Sequence, residues 1–150
     1  MKKLVFLLFI CALSLNVSAQ SDSLRKVKVN FGMMLNPQGG ISLKNPDKGF
    51  SVTMPLFVIL GVEKGNLSLT PLYSLTDNSI GGFATYSFPK VGIYFVGVKS
   101  TQSSDLYLGV GAGIPVAEKR ASAFIEIGTT QEWDTQIFLG VSIPFTLKLY

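Results

Sequence analysis

The sequence predicts an all-β fold, an eight-stranded antiparallel up-and-down β-barrel of the transmembrane type, on three observations. Apolar residues recur at every second position in eight successive segments, which is the periodicity of a strand. None of these segments carries the periodicity of about 3.6 residues that marks a helix. The faces opposite the apolar ones are mainly Ser, Thr, Gly, Asn and Gln. Their charge is confined to Lys26, Lys28, Asp105, Glu126 and Lys148, where a water-washed strand face would carry many more.

The chain opens with Met1-Lys2-Lys3, an apolar run over residues 4–15, and small residues at Val17 and Ala19 ahead of Gln20. That pattern predicts a secretory signal peptide over residues 1–19, leaving residues 20–150 as one β-barrel domain. The apolar run is shorter than the roughly 20 residues a membrane-spanning helix requires. Lys2 and Lys3 supply two of the 13 basic residues, so the remainder faces 9 acidic ones nearly in balance. Beyond the leader the basic residues cluster only at Arg25, Lys26 and Lys28, in strand alternation, and no nucleic-acid partner is expected.

Histidine is absent and the single cysteine, Cys11, lies in the leader behind Ile10, where lipidation would want a small residue. Zinc sites, Ser-His-Asp triads and Cys-His pairs are therefore excluded. The expectation is a protein with no catalytic residues, no metal site and no cofactor, and not an enzyme.

In chain order, the first strand alternates Val27, Val29, Phe31, Met33 and Leu35 with Lys26, Lys28, Asn30 and Gly32. Two Asn-Pro steps and three glycines then predict a long loop over residues 36–49, the best place for a variable binding surface. The second strand puts Phe50, Val52, Met54, Leu56, Val58 and Leu60 on one face, and the third alternates Leu67, Leu69, Pro71, Tyr73 and Leu75 after a turn at residues 63–66. Ile80, Ala84, Tyr86 and Phe88 mark the fourth. The fifth, residues 91–99, is apolar on both faces, so its direction is unassigned, but its β-branched and aromatic content makes it a strand. Leu106 to Val116 alternate against Gly109, Gly111 and Gly113 in the sixth, and Ala121, Ala123, Ile125 and Ile127 form the seventh. The last strand alternates from Ile137 to Leu149 and is expected to close the barrel against the first.

Eight such strands suit two opposite solutions. In a soluble barrel or sandwich the apolar face is the core; in a membrane barrel it meets lipid and the other face lines a narrow lumen filled with side chains. The scarcity of charge favours the second. So do Gly109, Gly111 and Gly113, which would weaken an exposed strand but inside a narrow barrel leave room for Phe57, Phe83, Phe124 and Phe138. Pro55, Pro71 and Pro144 count against closure, because each removes a ladder donor; Pro71, on the lipid-facing parity, is expected at a strand end or a bulge.

With the leader ending Val17-Ser18-Ala19, the eight strands and the last strand in view, the mature chain resembles the small eight-stranded outer-membrane β-barrel proteins of Gram-negative bacteria. The resemblance implies a location in the outer membrane, outer-membrane lipid and the barrel assembly machinery as partners, and an assembly signal in the last strand. Gly140, Ile143 and Phe145 match the spacing of that signal, while Phe138 stands where a polar residue is expected and the strand runs on to Tyr150. The enzymes of this family typically use a histidine, so no catalytic residue is carried over.

Two further sites stand out. Lys26, Lys28, Glu126 and Lys148 share the lumen parity on strands that become neighbours at closure, and read as a buried salt-bridge network or as an ion- or ligand-binding cluster. Trp133, the only tryptophan, reads as an anchor at the headgroup level or as a contact for an unidentified surface partner. Tyr73, Tyr86, Phe88 and Phe145 are expected in the aromatic girdles. The expected role is that of a porin-like integral barrel with a filled lumen and a structural or surface-interaction function. The alternative is a soluble periplasmic or secreted barrel that, like lipocalins, holds a small apolar ligand inside.

Overall fold

A computed structural model describes residues 27–116 and 120–149, without the side chains of Lys48 and Lys148; the leader and Lys26 lie outside the described residues. Ten strand segments follow in order: β1 (Lys28–Leu35), β2 (Gln38–Ser42), β3 (Ser51–Thr53), β4 (Leu56–Lys64), β5 (Leu67–Ser74), β6 (Ser79–Ser87), β7 (Gly92–Ser100), β8 (Leu106–Val116), β9 (Ala121–Thr130) and β10 (Thr135–Lys148). Each is antiparallel to its neighbours, and β1 pairs with both β4 and β10, so the sheet closes into a barrel.

The ten segments make eight strands. Against β10, β1 and β2 keep one register, from Asn30 opposite Lys148 to Ser42 opposite Gln136. Likewise β3 and β4 keep one register against them, from Gln38 opposite Thr53 to Lys28 opposite Glu63. This corrects the long loop expected over residues 36–49: residues 38–42 are strand, and the connection shrinks to residues 43–50 around a 3-10 turn at Pro46–Lys48. Pro37, expected in the loop, and Pro55, expected inside the second strand, each keep the half of a pair that a carbonyl supplies. The Val141 N–H donates to the Pro37 carbonyl (2.9 Å) and the Asn36 N–H to the Pro55 carbonyl (3.0 Å).

The other prolines are accommodated through the same rule, that the N–H and C=O of one residue in an antiparallel strand face the same neighbour. In β10 the Val141 and Leu149 N–H groups donate to β1-side carbonyls, so the even residues face β9; β9 has ended before Pro144, and no donor is wanted there. Pro71 is neither at a strand end nor in a bulge. The β4–β5 ladder lapses opposite Leu60 and Gly61 and resumes in unchanged register at Val62–Leu69.

Closure fixes the shape. A circuit through paired residues, Val29, Val62, Leu69, Ala84, Phe95, Val110, Ile127, Ile137 and Ile41, returns to the first strand twelve residues beyond its start. At about 3.3 Å per residue and 4.8 Å between strands, that offset tilts the strands by about 45° and gives a backbone radius of roughly 9 Å. An eleven-residue strand such as β8 then rises about 25 Å, the height of a membrane barrel's apolar band.

Every member of that circuit is apolar, and every one points outward. The adjacent circuit, Lys28, Glu63, Ser68, Thr85, Tyr94, Gly111, Glu126, Phe138 and Gly40, points into the lumen and is largely polar or small. Among the described residues, the buried large hydrophobics are six, Met34, Phe57, Ile59, Leu72, Val96 and Phe124, all lumen-facing; twenty-six others are exposed. The fifth strand of the sequence is now assigned: in β7, Phe95 is 67% exposed and Val96 6%. Both faces are apolar because the lumen wall on this side is itself apolar. The charged outward residues of β4 and β7, Lys64 and Lys99, stand at or next to the strand ends.

Candidate functional site

The lumen has two unlike walls. Met34, Phe57, Ile59 and Leu72, with Phe83 and Val98 against them, form a small apolar core on the β1, β4–β7 side. Across from it lies a hydrogen-bonded wall. The Ser142 hydroxyl donates to Asn36 Oδ1 (2.7 Å), the Asn36 amide donates to Gln38 Oε1 (3.4 Å), and the Tyr107 hydroxyl donates to Glu126 Oε1 (2.7 Å). At the opposite end Asn30 Nδ2 donates to Glu63 Oε1 (3.1 Å).

Glu126 is the centre of the polar wall, and glycines make its setting. A Cβ on Gly128 would fall within the Tyr107 ring, and one on Gly111 within the Tyr94 ring, so the two tyrosines lie flat across the β8–β9 glycines and reach the carboxylate. Gly140 and Gly40 leave room in the same way for Phe124 and Phe138. The room expected at Gly109, Gly111 and Gly113 for phenylalanines is not used by them: Tyr107 lies against Gly109 and Tyr94 against Gly111, while Phe124 and Phe138 use Gly140 and Gly40. The tyrosines, which sequence reading missed, use most of the space. Their signal was there: Tyr94 and Tyr107 share the lumen parity with the glycines. Edge-to-face contacts extend the layer, Phe83–Tyr94 at 5.6 Å and Tyr94–Phe124 at 6.5 Å on one side, Tyr107–Phe138 at 6.0 Å on the other.

Because Glu126 is only 7% exposed, its hydrogen bond matters. Tyr107→Phe is expected to lower stability by about 1–3 kcal/mol, the penalty of leaving a buried acceptor short of a donor. Urea titration of the folded barrel measures it.

This layer separates two cavities. The one toward the β2–β3, β5–β6 and β9–β10 connections, called outer, is about 250 Å³ and is lined by Asn36, Gln38, Asp77, Tyr107, Gln136 and Phe138 among others. The inner, about 510 Å³, includes Asn30, Glu63, Ser68, Thr85 and Tyr94. Asn36, Phe83 and Glu126 line both.

The structure does not bring Lys28 and Glu126 together, and it sets the Lys148 backbone far from Glu126. Glu126 pairs with Phe138, ten residues along β10 from Lys148, which pairs with Asn30. That is roughly 33 Å of strand at about 3.3 Å per residue. Lys28 is exposed at the rim where β1 begins, opposite Glu63 in register; Lys26 and the Lys148 side chain lie outside the described residues. Shared parity puts Lys28 and Glu126 on one face, and the barrel's height keeps them apart. In β10, Ile143 and Phe145 face outward, while Gly140 faces the lumen. Tyr73, Tyr86, Phe88 and Phe145 are all outward and exposed.

Trp133 caps a three-residue hairpin loop between β9 and β10, in which Trp133 N–H donates to Thr130 O (3.0 Å) and Thr130 N–H to Asp134 O (3.1 Å). Its φ of 58° is left-handed, a conformation suited to glycine, and the indole is 83% exposed. The loop is tied to the end of β2 and the connection after it by Ser42 Oγ donating to Asp134 Oδ1 (2.5 Å) and Lys44 Nζ to the Glu132 carbonyl (3.0 Å). Hydrogen bonds from Ser42 and Gln136 hold the Asp134 carboxyl below its ordinary pKa. Trp133→Gly is expected to raise stability by about 1 kcal/mol by relieving the left-handed strain; a fall in the urea midpoint would show instead that the indole is anchored.

No family model matches the sequence, and no curated protein does. Among solved structures the chain is similar to the de novo designed TMB2.3, determined in solution by NMR, at a TM-score of 0.49 and 14% identity over 77% of this chain and 95% of that one.

Proposed function

We propose that this protein is an integral outer-membrane β-barrel with a structural or surface-interaction role and no enzymatic activity. The observation that carries the reading is the closed ring of outward apolar side chains, Val29 through Ile127 and Ile137 to Ile41, on a strand height matched to a bilayer. In water such a belt would be an exposed apolar surface far larger than soluble monomers carry. In lipid it is the solvated face, and the closed sheet leaves no unpaired edge within the belt. The leader over residues 1–19 delivers the chain across the inner membrane, and Gly140, Ile143 and Phe145 are offered to the assembly machinery. The tied outer loops with Trp133 at their tip form the surface available to a partner.

A carbonate wash of membranes tests this. The mature protein is expected to stay in the pellet and to migrate differently on a gel when unheated than when boiled. Release into the soluble fraction would contradict the membrane reading and favour the soluble, ligand-holding barrel.

A further inference from the structure

An aromatic layer narrows the lumen between its two cavities, and the charged residues that line those cavities, among the described residues, have one sign, with Lys28 pointing inward only at the rim. Among the described residues no lysine or arginine lines either cavity; the acidic residues are Asp77 in the outer one, Glu63 in the inner one and Glu126 in both. We propose that the barrel conducts small monovalent cations along its lumen, with Glu126 at the constriction as the residue that determines selectivity. This rests on the membrane reading above.

The position of Glu126 is what favours a cation. It stands where the two cavities meet, beside the aromatic layer of Phe83, Tyr94 and Phe124, in a setting of low dielectric where a lone carboxylate attracts a cation and repels an anion far more strongly than in water. Oxygen groups continue on each side. The outer cavity offers the Asn36, Gln38 and Gln136 amides; the inner one is lined by Asn30, whose Oδ1 is buried without a protein partner, and by Glu63. Acidic groups and carbonyl oxygens spaced along a narrow path are the chemistry that replaces an ion's hydration in cation channels.

The test is current across planar bilayers holding the mature protein under a KCl gradient. The reversal potential is expected on the cation side, with K⁺ permeability several-fold above Cl⁻. Phe83→Ala, which trims a residue lining both cavities, is expected to raise the conductance and keep its sign; Glu126→Gln, alone or added to Phe83→Ala, is expected to bring the permeability ratio toward one. A barrel that survives the carbonate wash and shows the gel shift but passes no current, with or without Phe83→Ala, overturns the proposal alone. So does an unchanged ratio in Glu126→Gln. Should that variant fail to fold, the wild-type ratio decides, and a value at or below one overturns the proposal. Release by carbonate overturns the membrane reading as well.

Discussion

Phe95→Arg is expected to destabilise the barrel in a phospholipid bilayer by about 2–4 kcal/mol, the cost of an arginine at the midplane of a lipid-facing strand. Phe95 sits midway along β7, on the outward apolar circuit, and is 67% exposed. The exposure makes the substitution discriminating. In a soluble protein a residue this open would change stability by no more than about 0.5 kcal/mol. Denaturant titration in vesicles reads the difference. Lys99, four residues on and next to the strand end, serves as the internal comparison, because a charge near the interface costs little and has a long stem with which to reach water.

The second large effect lies inside. Gly111→Ala is expected to lower stability by about 1–3 kcal/mol, whereas Gly113→Ala two residues along the same face is expected to be nearly neutral. A methyl group on Gly111 would fall within the Tyr94 ring and 2.8 Å from the Ile125 carbonyl. The same group on Gly113 finds nothing closer than the Ala123 carbonyl at 3.6 Å. The ring of Tyr94 is itself held by Phe83 and Phe124, so it cannot swing aside without disturbing the waist. Equal effects at the two positions, measured in parallel urea titrations, would mean that the tyrosine does not lie where the glycines leave room for it.

These two positions also show how far the sequence could be read. The outward parity was legible because that face is apolar along most of its length, as at Leu67, Ile125 and Leu139, with Lys64 and Lys99 kept to the strand ends. Lumen parity was legible as polarity and small size at Gly109, Gly111 and Gly113. Its contacts were not, because they depend on the stagger between strands, which no local pattern records: Gly111 meets Tyr94 across one interface and Glu126 across the other.

The same stagger separated Glu126 from Lys28. It also turned the turn-like residues of 38–42 into strand, since Gly39 and Gly40, poor strand residues alone, sit in the register that β10 imposes. Gly40 gives way to Phe138 and Gly39 to Phe50, so their lack of side chains is a packing feature of a strand and not the mark of a loop. The fifth strand resisted assignment for a related reason. Val96 and Val98 belong to a lumen wall that is apolar on that side, so alternation was lost where both faces are apolar.

The most direct test of the membrane-facing belt uses the chain's single tryptophan. With Trp133 replaced by phenylalanine and Phe95 by tryptophan, the only indole reports from the middle of the outward face. In vesicles its fluorescence is expected to be quenched strongly by lipids brominated deep in their acyl chains and to be insensitive to aqueous iodide. Quenching by iodide without quenching by brominated lipid would contradict the account.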